Sequence, residues 1–124
     1  VDIAGASYPT EFKGHAIQPM EGISLVPAFE GKTLARTQPI FWEHEGNRAI
    51  RIGEWKLVSM HPKSWELYHI PTDRTEMHDL AAAQPERVKA MASQWEAWAK
   101  RVGVRPWPLN GGDGKKGKGN KKGQ

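Results

Sequence analysis

The sequence predicts an α+β domain in which a four-stranded antiparallel meander packs on one C-terminal helix. Gly46 and Gly53 each begin a two-residue turn signal, and both are flanked by runs rich in Ile, Phe, Trp and Val. The first position of such a loop favours glycine, because a type II′ hairpin turn needs positive φ there. Apolar residues recur at three- and four-residue spacing over 85–102, which indicates one amphipathic helix. An irregular N-terminal segment and a disordered Lys/Gly tail complete the predicted architecture.

The first 38 residues are predicted to be a connecting segment with little regular structure. Residues 1–5 are typical of the last turn of a helix closed by glycine, so the chain is expected to be a fragment of a larger protein. Ser24 can cap a short helix over 25–30, and Gly31 can end it.

Four strands are predicted, at 39–45, 48–52, 55–60 and 65–70. The two turns then set Glu45 opposite Arg48 and Ile52 opposite Trp55. One sheet face is predicted to carry Phe41, Glu43, Glu45, Ile50, Ile52, Trp55, Leu57, Tyr68 and Ile70. The other is predicted to carry Ile40, Trp42, His44, Ala49, Arg51, Lys56, Val58, Met60, Trp65, Leu67 and His69.

The helix over 85–102 is expected to cover the first face, which is the more apolar one, and to stop at Gly103. The second face still carries large apolar side chains, so either the first 35 residues or a partner is expected to cover it. Residues 106–124 are predicted to form a low-complexity tail, disordered from residue 110.

Composition narrows the function classes. The formal charge of +4 belongs to residues 113–124, which hold five Lys and one Asp, whereas residues 1–112 carry no net charge. The tail lacks interleaved aromatic residues, which favours a solubilising tail over a nucleic-acid-binding one. The absence of cysteine excludes disulfides and thiolate metal sites. No apolar run approaches the roughly 20 residues of a membrane span, and these 124 residues contain no segment with the pattern of a signal peptide.

The His44-Glu45 pair does not predict a zinc protease, because that motif needs a second His one helical turn later and Arg48 stands there in a hairpin. The other histidines show no ligand spacing, and no serine follows a nucleophile motif. Glu43 and Glu45 share a face, as a general acid/base pair would require. A structural salt bridge between Glu45 and Arg48 is the favoured alternative.

The second face carries more side chains that could bind a ligand. It is predicted to assemble a cationic, aromatic-edged patch from His44, Arg51, Lys56 and His69 beside Trp42 and Ala49. Such a patch can receive an anionic group or the body of a substrate. Alternatively, Arg51 and Lys56 pair with carboxylates across an interdomain contact. His44 lies next to the hairpin tip, where it can reach beyond the domain.

Six pieces of the sequence, in order over roughly residues 1–105, resemble the C-terminal region of arylsulfatase-type sulfatases, with bacterial secreted members the most similar. The pieces are Tyr8-Pro9, Gly22 to Gly31, Trp42-Glu43 with Asn47 to Arg51, Gly53 to Leu57, Glu66 to Tyr68, and Asp79 to Ala81. The resemblance implies residues 39–105 as the small C-terminal subdomain and 1–38 as its connection from the catalytic domain.

The resemblance implies that the family hydrolyses sulfate esters with a formylglycine and a calcium ion. The formylglycine is made within a C/S-x-P-S-x-R motif. That motif is absent from these 124 residues. Calcium and formylglycine are therefore expected in a catalytic domain outside this sequence, and the chain alone is expected to be inactive. The parent protein is expected to be exported, to the periplasm or beyond the cell.

The resemblance also implies roles for individual residues. It implies that His44, Asn47 and Arg48 lie at the rim of the substrate pocket. Trp42, Arg51, Lys56 and Trp65 are expected at the interdomain contact. The expected partners are the catalytic domain and a sulfated small molecule or carbohydrate. An independent anion- or carbohydrate-binding module is the alternative.

Overall fold

The computed structural model describes residues 1–34 and 36–108, and these fall into two compact units. One unit is Val1–Gln38 and the other begins at Pro39. The second unit contains a four-stranded antiparallel sheet and one long helix, so the predicted α+β fold class is confirmed. The disorder predicted for residues 110–124 concerns a segment outside the described residues.

The N-terminal unit contains a small hairpin that the sequence did not predict. Strands β1 (Glu11–Phe12) and β2 (His15–Ala16) pair antiparallel. Lys13 and Gly14 both have positive φ, 51° and 79°, as a two-residue type I′ turn requires. The Lys-Gly pair was the available signal, but no apolar alternation accompanies it.

Helix α1 (Val26–Phe29) is shorter than the predicted 25–30. Leu25 occupies the N-cap position. The Ser24 hydroxyl still accepts a hydrogen bond from the Val26 amide at 3.1 Å, so it supports the first turn as expected of a serine near a helix start.

The second unit is built on the sheet β3 (Ile40–His44), β4 (Asn47–Ile52), β5 (Trp55–Ser59) and β6 (Glu66–His69). The strands are neighbours in chain order and antiparallel throughout, which is the predicted meander.

The predicted register of the first hairpin was wrong. Phe41 opposes Ile50 and Glu43 opposes Arg48, so the loop consists of Glu45 and Gly46. Both loop residues have positive φ, 52° and 81°, which makes a type I′ turn with glycine second instead of first. The Glu43 carboxylate favours this turn because it accepts a hydrogen bond from the Gly46 amide at 2.9 Å.

The error left the sheet faces of β3 and β4 intact, because it shifted the pairing by two residues and side chains alternate with a period of two. It did remove the expected Glu45–Arg48 salt bridge. The Glu45 carboxylate lies instead 4.0 Å from the His44 ring nitrogen Nδ1.

The second hairpin has the predicted register, with Ile52 opposite Trp55 and Ile50 opposite Leu57. Gly53 leads its turn with a φ of 55°. The placement of β6 was wrong by one residue, because Leu67 opposes Leu57 and Tyr68 opposes Lys56.

A one-residue slip exchanges the two faces of a strand. Leu67 and His69 therefore lie on the first face and Tyr68 on the second, the reverse of the prediction. The cause is the β5–β6 connection over residues 60–65, which is longer than the predicted four-residue loop. The buried Ser59 hydroxyl donates to the Lys63 carbonyl at 2.7 Å inside this connection.

Helix α2 spans Pro85–Val102 with the predicted bounds, and Gly103 ends it in the left-handed conformation at a φ of 76°. Its buried stripe packs on the first face of the sheet. The core consists of Ile50, Leu57, Leu67, Met91, Trp95 and Ala99. Trp65 also packs against this core, its ring centroid 5.9 Å from that of Trp95, so its predicted place on the second face was wrong.

Candidate functional site: a groove on the open sheet face

The sheet face opposite α2 holds a concave recess of about 540 Å³. Its lining side chains come from three strands and from the segment after β6, and we call it the open-face groove. The lining residues are Trp42, Ala49, Arg51, Lys56, Ile70, Arg74 and Glu76. The recess therefore combines one large aromatic side chain, three cations and one carboxylate.

The floor of the groove is set by strand pairing. Ala49 lies directly opposite Trp42 on one side and Val58 on the other. Its small side chain leaves room above the sheet, whereas the indole of Trp42 is 46% exposed. In the adjacent row, Arg51 opposes Lys56. Trp42 is thus a half-exposed aromatic wall next to two long cationic side chains.

One wall is formed by the segment that follows β6. The Lys56 ammonium and the Glu76 carboxylate make an ion pair of 2.5 Å, and both side chains are about three-quarters buried. Such a pair is screened less than an exposed one. It therefore fixes the wall to the strand while it neutralises the charge of Lys56.

Asp73 organises the same segment. Its carboxylate accepts hydrogen bonds from the amides of Met77, at 3.1 Å, and His78, at 2.8 Å. These two bonds, and then the nearby His78 ring, hold the pKa of Asp73 below its usual 3.8. Residues 73–78 consequently form a closed turn that carries Glu76 toward Lys56.

The lowered pKa of Asp73 predicts how the wall responds to acid. The ionised carboxylate adds stability above the unfolded-state pKa, and this contribution is lost as the pH falls through the lower folded-state pKa. We expect the amide NMR signals of Met77 and His78 to titrate together with a midpoint below pH 3.8. The Asp73→Asn variant should abolish that titration, and a wild-type midpoint at or above 3.8 would contradict the assignment.

The two arginines of the groove are differently placed from Lys56. The Arg51 Nε donates to the Gly53 carbonyl at 3.2 Å, which leaves its terminal nitrogens available. Among the described residues, no carboxylate lies within ion-pair distance of Arg51 or Arg74. The groove is therefore net positive, and its uncompensated charge is carried by guanidinium groups.

Tyr68 lies directly opposite Lys56 in the sheet and is only 6% exposed. Its hydroxyl donates to the Glu66 carboxylate at 2.8 Å. Burial, and secondly this bond, raise the pKa of Tyr68, so the phenol stays neutral.

The three residues predicted at a substrate rim lie in one hairpin but in different environments. The His44 side chain is 82% exposed at the end of β3, on the same face as Trp42. The Asn47 amide is engaged internally, because it donates to the His44 carbonyl and accepts from the His61 amide, both at 3.0 Å. Arg48 lies on the helix-covered face, its guanidinium 4.3 Å from the Trp65 ring. Their roles toward a substrate remain predictions.

The four residues predicted at an interdomain contact also lie on both faces of the sheet. Trp42, Arg51 and Lys56 come together in the open-face groove, whereas Trp65 belongs to the helix-covered side. His69 is likewise absent from the predicted cationic patch, because its ring lies 4.7 Å from that of Trp55 on the first face.

Sequence reasoning missed Arg74 and Glu76. The only signal was a pair of opposite charges two residues apart in a turn-rich stretch. In the correct register of β6, Tyr68 lies opposite Lys56. The stretch that follows this strand would then have been expected to lie near Lys56.

The resemblance implies a calcium ion and a formylglycine, and each needs particular side chains to hold or form it. Within residues 1–34 and 36–108, no three His, Cys, Asp or Glu side chains are grouped so that they could hold a metal ion. The sequence also lacks cysteine and a C/S-x-P-S-x-R motif. The described residues thus do not fit either group. In the same part of the chain, no helix has the length and apolar character needed to cross a membrane.

Two comparisons with known proteins, one of sequence and one of fold, found similar proteins, and both are longer than this chain. No family model matches the chain. Over 68 residues, or 51% of the chain, it is 34% identical to an uncharacterized sulfatase of Schizosaccharomyces pombe, of which this stretch covers 12%. Crystal structures of Ps i-CgsB, with and without k-i-k-neocarrahexaose, match 64% of the chain at a TM-score of 0.53 and 26% identity, and the match covers 19% of that protein. The chain is therefore similar in sequence to a part of a sulfatase and in fold to a part of Ps i-CgsB, and it spans only 12% and 19% of the lengths of these two proteins.

Proposed function

We propose that the chain is the C-terminal portion of an arylsulfatase-like sulfuric ester hydrolase, in which it completes the fold and contributes to the rim of the substrate pocket. The sequence match to a sulfatase over a segment that covers only 12% of its length carries the proposal. Hydrolysis would then take place on the remainder of the protein, and this portion would select what reaches it.

The β3–β4 hairpin provides the means of selection. The Asn47 side chain ties the turn to His61, and the Arg48 guanidinium stacks on Trp65, so the hairpin is braced from both sides. The exposed imidazole of His44 is presented at the end of this braced element. A side chain so placed can hydrogen-bond a substrate group away from the scissile ester without ordering a flexible loop.

The relatives support a proposal for the class of substrate. Ps i-CgsB, which shares the fold, binds k-i-k-neocarrahexaose. Together with the sulfatase match, this supports a sulfated saccharide as the substrate of the longer protein.

Replacing His44 by alanine in the longer protein tests this function. We expect kcat/KM to fall by about five- to tenfold for substrates that bond the imidazole, which is the loss of one hydrogen bond, and to change little for a small aryl sulfate. The matched control is His15→Ala, since the His15 side chain in β2 is also exposed and lies outside both the β3–β4 hairpin and the lining of the open-face groove. Equal effects of His44→Ala on all substrates would contradict a selective role, and hydrolysis by the 124-residue chain alone would contradict the proposal.

An independent anion- or carbohydrate-binding module is the second candidate. The uncompensated guanidinium groups of Arg51 and Arg74 favour it. The two candidates differ in one measurement. A longer protein that hydrolyses no sulfate ester, although the chain binds anionic saccharides, would support the module over the hydrolase.

A further inference from the structure

We propose that the open-face groove binds one anionic sugar unit, with the sugar ring on the indole of Trp42 and its acidic group between Arg51 and Arg74. The acidic group is a sulfate ester, whose anionic oxygens can accept hydrogen bonds from both guanidinium groups. This inference deepens the proposed function and rests on it for the choice of a saccharide.

The size of the groove suits such a ligand. Small-molecule sites typically occupy about 300–1,000 Å³, and the groove measures about 540 Å³. Its floor at Ala49 is small and buried, whereas the opposite Trp42 presents a broad apolar surface. The C–H face of a sugar ring packs on an indole in this way, while the polar edge of the ring stays in contact with water.

The groove is held in shape before any ligand arrives. The indole nitrogen of Trp95, on α2, donates to the Trp42 carbonyl of the edge strand β3 at 3.0 Å. On the far wall, the Lys56–Glu76 ion pair anchors residues 73–78. A ligand therefore orders few groups when it binds, which preserves affinity.

The charge of the groove selects an anion. Guanidinium groups match carboxylate and sulfate oxygens with two parallel N–H donors, and such charge-assisted pairs are about twice as strong as neutral ones. Arg51 and Arg74 have no carboxylate partner among the described residues, so the groove favours a ligand that brings an anionic group. A neutral sugar would leave both guanidinium groups uncompensated.

The geometry favours a saccharide over an acidic protein surface. The centre of a protein interface is usually depleted of charge and closely packed. Here the centre of the face is a recess lined by three cations, so a flat protein surface would span it without filling it. A single sugar unit enters the recess and leaves its chain neighbours free to extend toward His44, which shares the face.

The test is calorimetric titration of the complete 124-residue chain with three probes at one low salt concentration. The probes are a sulfated galactan hexasaccharide, the same hexasaccharide after chemical desulfation, and hexaglutamate. We expect the sulfated probe to bind at least tenfold more tightly than either of the others. Equal affinity for the desulfated probe, or tighter binding of hexaglutamate, would overturn the proposal in favour of a non-anionic ligand or an acidic protein partner.

Variants locate the binding. Arg51→Gln and Arg74→Gln should each weaken the sulfated probe about tenfold, since each loses a charge-assisted bond. Trp42→Ala should weaken it by a similar factor. The matched control, Lys89→Gln, removes one exposed charge from α2 and should change affinity less than twofold, and circular dichroism should show that all variants are folded.

A control is also needed for the Lys-rich tail. Replacing its five lysines by glutamine (Lys115, Lys116, Lys118, Lys121 and Lys122) should retain the tenfold preference for the sulfated probe. Loss of that preference in this variant, or wild-type affinity in both arginine variants, would overturn the proposal. These titrations need no catalysis, so their outcome is separate from that of the hydrolysis assays above.

Discussion

Replacing Trp95 by alanine should lower the free energy of unfolding by about 3–5 kcal/mol, as large-to-small changes of buried Trp do. Trp95 is only 7% exposed at the centre of the core. Its ring packs against those of Trp65 and Trp98, with distances between ring centroids of 5.9 Å and 6.0 Å. The change also leaves the Trp42 carbonyl without its donor. Because small domains are stable by only about 5–15 kcal/mol, this loss should bring the second unit close to unfolding.

Urea unfolding followed by far-ultraviolet circular dichroism measures the effect without relying on indole fluorescence. Trp42→Ala is the matched control, because the same exchange at a half-exposed indole should cost about 1 kcal/mol or less. Trp95→Phe retains most of the ring and loses the N–H donor, so it should fall between the two. Similar losses for Trp95→Ala and Trp42→Ala would show that the core is not centred on Trp95.

Gly46→Ala should be the most damaging change in the hairpin, with an expected loss of about 2–4 kcal/mol. Two costs add. The φ of 81° is unfavourable for a residue with a Cβ. A Cβ at this position would also lie 2.9 Å from atoms of both His61 and Trp107, closer than carbon atoms approach.

The chain offers a matched control in Gly53→Ala. Gly53 leads the next turn of the same sheet with a φ of 55°, and a Cβ there meets no atom within 4 Å. Only the conformational cost applies, so the expected loss is about 1–2 kcal/mol. The difference between the two variants in urea unfolding measures how tightly the turn packs on His61 and Trp107. Equal losses would mean that these neighbours move away freely.

The elements that could be predicted are those with strong local signals. Helix α2 has its predicted bounds because Pro85, the apolar stripe and Gly103 each act within a turn or two of the chain. The first hairpin register could not be read, because glycine fits either position of a two-residue loop. The choice between them came from a Glu43 side-chain bond to the Gly46 amide.

The site could be predicted in part for a related reason. Trp42, Arg51 and Lys56 share a face whichever of the two turns forms, since the alternatives differ by an even number of residues. Arg74 and Glu76 lie in an aperiodic segment whose shape depends on the bonds of Asp73 and on a left-handed φ of 58° at Glu76. Neither feature leaves a repeating pattern in a sequence.

The bond from Trp95 to residue 42 has a consequence for substitutions at position 42. Its acceptor is a main-chain carbonyl, which every amino acid at position 42 would supply. Substitutions there can therefore exchange the surface presented to the groove while the attachment of α2 to β3 is retained. The binding that we propose for the groove can therefore be altered at position 42 at little cost in stability.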